Sequence, residues 1–194
     1  MRVHLGLRRG LIYLLPFALL FVALIGRVAA SDLLERLSLF CFDVYQKAAP
    51  GQFSLVHFSA HALANKDSPL DSAIILSRDG ENFKLYARNV IETPLRADLV
   101  TISACRSAGA RSYSGEGLVG FAWAFLQAGA HNVIAGLWDV TDSSTPGIMD
   151  VLYAKVAAGV GPADALRAAK LKLIQSGLGY RRPYYWGPFQ IYTR

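Results

Sequence analysis

Two cysteines in 194 residues, Cys41 and Cys105, are too few for a disulfide framework, so each thiol is either a buried hydrophobe or a working group. Charge is sparse as well. Only 18% of residues are charged against 53% hydrophobic, which excludes a disordered, highly charged chain and leaves apolar material for one sizeable core. No internal repeat or low-complexity tract interrupts the chain, and its length argues for one domain. A nucleic-acid footprint is missing too, despite a formal charge of +6. Five of the twenty basic residues (Arg2, Arg8, Arg9, Arg27, Arg36) flank or follow one apolar N-terminal stretch. Elsewhere Arg181 and Arg182 form a pair, but no basic stripe interleaves with aromatics, so no nucleic-acid partner is expected.

No hydrophobic run reaches the length of an ordinary bilayer span. The longest, residues 11–25, is uncharged, follows Arg8-Arg9 and precedes the small residues VAAS at 28–31. Pro16 sits inside it and Arg27 interrupts its far side. The segment is expected to act as a short membrane anchor, with a cleaved signal or a helix buried in a partner as alternatives. Residues 1–30 are accordingly set apart from a domain at 31–194, and the location is cytoplasmic or membrane-anchored.

What is present is an alternation of buried strands and helices. Residues 31–48 carry Leu33, Leu34, Leu37, Phe40, Cys41 and Val44 near helical spacing, with Asp32 as N-cap and Glu35 three residues on. APG at 49–51 breaks the pattern, and FSLVHF (53–58), AIILS (73–77), DLVTIS (98–103) and HNVIAGLW (131–138) read as strands covered on both faces. GEGLVGFAWAFLQAG is apolar nearly all round, with Ser114 as N-cap and Gly129 as stop, and reads as a buried crossover helix. Helices follow over 144–157 and 162–174, the second started by Gly161-Pro162, before a last apolar run PFQIY (188–192). Strands alternating with helices predict a layered α/β domain with a mainly parallel sheet.

GEGLVG (115–120) has the Gly-x-Gly-x-x-Gly spacing of a dinucleotide cradle, and Asp139 follows 19 residues after Gly120. With 17 glycines in the chain the spacing alone is weak. A dinucleotide turn must also come directly off a strand, whereas here the long polar stretch CRSAGARSYS intervenes after DLVTIS. Gly117 and Gly120 are therefore expected to let the helix lie close on the sheet, and no cofactor is expected.

VTISAC places Cys105 just past the carboxyl end of a buried strand, where open α/β sheets build ligand crevices. His61, in VHFSAHA, stands the same short distance past its own strand. Neighbouring parallel strands would bring both to one edge as a Cys–His dyad, with the imidazole taking the thiol proton and backbone N–H groups at Cys105 and Ala62 facing the oxyanion. Taken by themselves, the residues leave this open against a small buried cysteine and a satisfied loop histidine. His57 and His61 are four apart, but on a strand and without a third ligand, so no metal is expected. His4 and His131 are expected to be structural or solvent-facing.

In order, VHFSAHA, SPLDSAIILS, ADLVTISACRSAGA, GEGLVGFAWAFLQAGAHNVIAGLWDV and PYYWGPF resemble the CHAT domain, a bacterial branch of the caspase-like cysteine peptidases that includes separase relatives. The resemblance covers about residues 53–192. It implies a three-layer caspase-like fold, α/β, with a mainly parallel sheet and helices on both faces. It also implies cleavage of peptide bonds in a protein or peptide substrate, His61 as catalytic histidine and Cys105 as nucleophile. Ala62 stands where the family usually has glycine, and Arg106 where it commonly has an acidic residue. Arg106 and Asp139 are the candidates for lining a substrate pocket, with Asp142 beside them, although capping the next helix is the commoner use of residues placed like Asp139 and Asp142. Upstream of the histidine strand the chain is short for the family, as in a truncated copy. A non-catalytic interaction module is the alternative function, and a regulatory protein of tetratricopeptide (TPR-type) helical repeats is the partner implied.

Overall fold

In a computed structural model, residues 21–25, 42–65, 67–79, 82–103, 115–141, 143–177 and 179–194 are described. The expected Asp32 and Ser114 caps, His4, Cys41, Cys105, Arg106 and Asp142 lie outside those residues.

The near-continuous apolar runs become strands because they are covered on both sides, where a polar face would have no water to meet. Strands β1 (Phe21–Ile25), β2 (Leu55–Ser59), β6 (Leu99–Ile102), β7 (Asn132–Gly136) and β8 (Phe189–Thr193) form one sheet in the order β1-β2-β6-β7-β8. β2, β6 and β7 run parallel; β1 and β8 are antiparallel edges. β1 comes from the last five residues of the apolar stretch 11–25, so the central sheet takes a strand from the segment set apart above. Among the described residues no helix is long and apolar enough to cross a membrane.

AIILS departs from the expectation that it joins the other buried runs. It lies in β4 (Ala73–Asp79), the middle of a separate antiparallel sheet between β3 (His61–Leu63) and β5 (Asn82–Tyr86). β4 pairs antiparallel with the next strand in sequence, Asp79 standing opposite Asn82, and that short-range pairing outcompetes a crossover into the central sheet. A 3-10 turn (Pro69–Asp71) links β3 to β4.

The helices are α1 (Phe42–Lys47), α2 (Ala87–Glu92), α3 (Gly115–Gln127), α4 (Thr145–Ala157), α5 (Pro162–Gln175) and α6 (Pro183–Trp186). Alternation along each strand divides the core in two. Val56, Phe58, Val100, Ile102, Val133 and Ala135 face Phe121, Ala124 and Phe125 of α3 together with Ile74 and Leu85 of the small sheet. On the other side Leu99, Ile134 and Phe189 meet Ile148, Met149 and Leu152 of α4 and Ala165, Leu166, Ala169 and Leu173 of α5. The α5 set recurs at helical spacing and turns one apolar stripe to the sheet. The result is the expected three-layer α/β architecture, helices on both faces of a sheet whose central strands are parallel.

Gly129 ends α3 at φ +97°, a conformation that an L side chain rarely adopts. Gly120 has a different task. A Cβ there would stand 3.3 Å from both Cβ and O of Pro69, so the last glycine of GEGLVG lets α3 lie against the turn between β3 and β4. Twelve residues separate the end of β6 from the start of α3, so the glycines do not form the strand-to-helix turn a dinucleotide needs.

Candidate active site at the carboxyl edge of the parallel strands

β2 and β6 are hydrogen-bonded parallel neighbours, so their carboxyl ends emerge side by side. The register runs from Leu55 opposite Leu99 to Phe58 opposite Ile102, and the Ser103 N–H donates to the Phe58 carbonyl at 2.9 Å as a further rung. In the sequence, His61 and Cys105 each come three residues after these last paired positions, Phe58 and Ile102.

After Ser59 the chain leaves the central sheet and enters the small one within two residues. His61 is therefore the first residue of β3, opposite Ile75, and exposed; Ala62 lies opposite Ile74, partly buried against the α3-side core. Cys105 and Arg106, as noted, fall outside the described residues. Asp139 is partly exposed in the segment that follows β7, on the same edge of the sheet.

That segment is tied to the stretch before β8. The Leu137 N–H donates to the Pro188 carbonyl at 2.8 Å, and the Trp138 indole N–H to the Tyr184 carbonyl at 3.1 Å. A Cβ on Gly187 would meet the Pro183 carbonyl at 2.6 Å and the Trp138 ring at 3.0 Å, which accounts for the glycine in PYYWGPF. Ser144, at the N-cap of α4, turns its hydroxyl to Thr141 Oγ1 (2.6 Å) and the Tyr185 carbonyl (3.2 Å) instead of capping the helix.

One pair escaped the sequence reasoning. On the face of β2 opposite Val56 and Phe58, His57 Nε2 lies 2.6 Å from Ser103 Oγ, and either atom can donate, depending on the tautomer. The ring packs against Tyr153 of α4, centroids 5.6 Å apart. Desolvation lowers the His57 pKa to about 4, so the imidazole is neutral at physiological pH. At 5% exposure Ser103 offers no surface to a substrate, so this is a buried polar contact and not a second nucleophile. Thr101, opposite His57 in the register, is also fully buried, and its hydroxyl has no hydrogen-bond partner among the described residues. The signal was available: a histidine inside an otherwise apolar strand requires a partner. Its Nε2 is thus engaged away from His61, and no group of three or more metal-ligating side chains occurs among the described residues.

The sequence model of the CHAT domain matches residues 13–194, a span that takes in all the strands of this three-layer fold. The chain belongs to the CHAT domain family. The match begins upstream of residue 53, where the quoted motifs start, and takes in β1. Membership makes the protein a caspase-like, peptidase-related module. Among curated proteins it is similar to tetratricopeptide repeat protein 28 of Mus musculus, 29% identical over 107 residues, and of Homo sapiens, 26% identical over 107 residues. Each match covers 55% of this chain and 4% of the relative, so this CHAT domain corresponds to a small part of much longer proteins.

Proposed function

We propose that this CHAT domain is a cysteine endopeptidase that cleaves a protein substrate through Cys105 and His61. The observation that supports the proposal is the parallel register of β2 and β6, in which Phe58 is paired with Ile102; in the sequence His61 and Cys105 each follow these paired residues by three positions. His61 takes the thiol proton and Cys105 Sγ attacks the scissile carbonyl carbon. The resulting oxyanion accepts hydrogen bonds from the backbone N–H groups of Cys105 and Ala62. His61 then gives its proton to the departing amine as the C–N bond breaks, and water hydrolyses the thioester to release the acid and restore the thiol. Arg106 and Asp139 are the candidates for contacting the substrate side chain. No cofactor takes part.

The test is cleavage of a peptide library by wild-type protein and by Cys105→Ala. Complete loss of cleavage in the variant, with an unchanged melting temperature, is expected; retained cleavage overturns the proposal.

The relatives motivate a second reading. They are named as tetratricopeptide repeat proteins, and the matched part is 4% of their length. On that reading the domain docks to a TPR-type repeat protein without catalysis. An unreactive Cys105 and partner binding unaffected by Cys105→Ala are its expected signature.

A further inference from the structure

The chain keeps a polar pair in the layer between the central sheet and α4, where two apolar side chains would serve packing at least as well. Burying a hydroxyl and an imidazole costs free energy that the hydrogen bond between them only offsets. What such a bond adds over apolar contact is direction, because it is made at one separation and one orientation.

Its place in the fold makes that direction useful. Ser103 directly follows the last residue of β6, and it is fastened to β2 twice. Its N–H donates to the Phe58 carbonyl at 2.9 Å, and its hydroxyl meets His57 Nε2 at 2.6 Å, with the Phe58 carbonyl a long 3.5 Å away. On the β2 side the chain turns out of the sheet two residues after His57. The bond therefore crosses the two strands at the point where they diverge. Tyr153 of α4 backs the imidazole and holds the ring in place.

We propose that His57 and Ser103 are positioning residues which fix the carboxyl ends of β2 and β6 relative to each other and so set the separation of the proposed His61 and Cys105 groups. The inference rests on the peptidase reading above. Cys105 is only two residues past Ser103 in the sequence, and a misplacement of about 1 Å costs on the order of 10²-fold in a well-oriented reaction. A neutral imidazole suits this task, since it holds one hydrogen bond without bringing a competing charge beside the proposed thiolate.

The experiment is the alkylation rate of Cys105 by iodoacetamide against pH, read by mass spectrometry on the full chain with Cys41 as internal control. Wild type, His61→Ala, Ser103→Ala, Ser103→Thr and His57→Phe are compared, with melting temperatures measured alongside. Wild-type Cys105 is expected to react with a depressed midpoint that His61→Ala abolishes. Ser103→Ala and His57→Phe are expected to move the midpoint toward that of His61→Ala and to slow alkylation at neutral pH about tenfold. Ser103→Thr, which keeps the hydroxyl, restores the wild-type profile. A purely structural role lowers the melting temperature and leaves the midpoint where it was.

A wild-type midpoint retained in both Ser103→Ala and His57→Phe overturns the positioning role and leaves the peptidase reading standing. A wild-type profile identical to that of His61→Ala overturns the peptidase reading, and the positioning role falls with it. Should Ser103→Ala fail to fold, His57→Phe breaks the same bond from the other side while keeping a ring against Tyr153.

Discussion

The two faces of the central sheet are built from the same strands and differ in what they bury. On the α3 side the inward strand residues are apolar: Phe58 and Phe125 meet at 5.3 Å with tilted rings, Phe121 and Tyr45 lie at 6.3 Å from Phe125, and Val100 and Ile102 fill the floor. On the α4 side the intervening positions carry His57, Thr101 and Ser103 among Leu99, Ile134 and Phe189. These polar groups occur where β2 and β6 approach their carboxyl ends. One face is thus optimised for burial, and the other gives up some burial for orientation beneath the proposed site.

The largest way to test that contrast is Phe125→Ala. The side chain is fully buried on the apolar face, and its removal is expected to lower stability by about 3–5 kcal/mol. Denaturant unfolding at pH 7 and at pH 5 should show the same loss at both, since the one titratable ring it meets, Tyr45, stays neutral at both, its pKa raised by burial.

The polar face is expected to respond to pH instead. Burial holds the folded-state His57 pKa at about 4 against the ordinary 6.5 of a solvated histidine, so between these values the unfolded chain binds more protons than the folded one. Stability is then whole above about pH 6.5, declines as pH falls through that window, and levels off below pH 4. The loss amounts to about 3–4 kcal/mol at most, given about 1.4 kcal/mol per pH unit between the two values. Melting temperature against pH measures it, and His57→Phe should flatten that part of the curve. An unchanged slope in His57→Phe would assign the pH dependence elsewhere.

The smallest effect sharpens the comparison within the polar face itself. Ile134 is fully buried beside α4 but carries no polar atom, and Ile134→Val is expected to cost about 0.5–1.5 kcal/mol. Unfolding curves should show that loss with the His57-dependent pH slope intact, which separates apolar packing on this face from its hydrogen-bonded pair.

Much of this architecture was legible locally. Four of the five apolar runs became strands of the central sheet or its antiparallel edge, and the helices at 145–157 and 162–175 start within a residue of the Ser144 and Gly161-Pro162 signals. The fifth run, AIILS, misled because apolarity reports burial and not which sheet does the burying. The short elements β3, β5 and α2 carry no periodic signal long enough to stand out, and β1 lies hidden in a stretch whose composition suits a helix equally well. Of the candidate site, the positions of His61 and Asp139 beyond strand ends were readable from the strand boundaries. The His57–Ser103 contact was not, because its partners are 46 residues apart.

By itself, then, the sequence determined which segments are buried on both faces, where they stop, and through its ordered motifs the family to which the chain belongs. These are properties of neighbouring residues, set by period, apolarity and turn chemistry. Only the tertiary structure decided that β2 lies beside β6 with Phe58 opposite Ile102, and that His57 on one strand meets Ser103 on the other. Strand pairing is a choice among distant segments made by the packing of the whole core. A slip of one residue in that choice would turn His57 to the opposite face and end the contact.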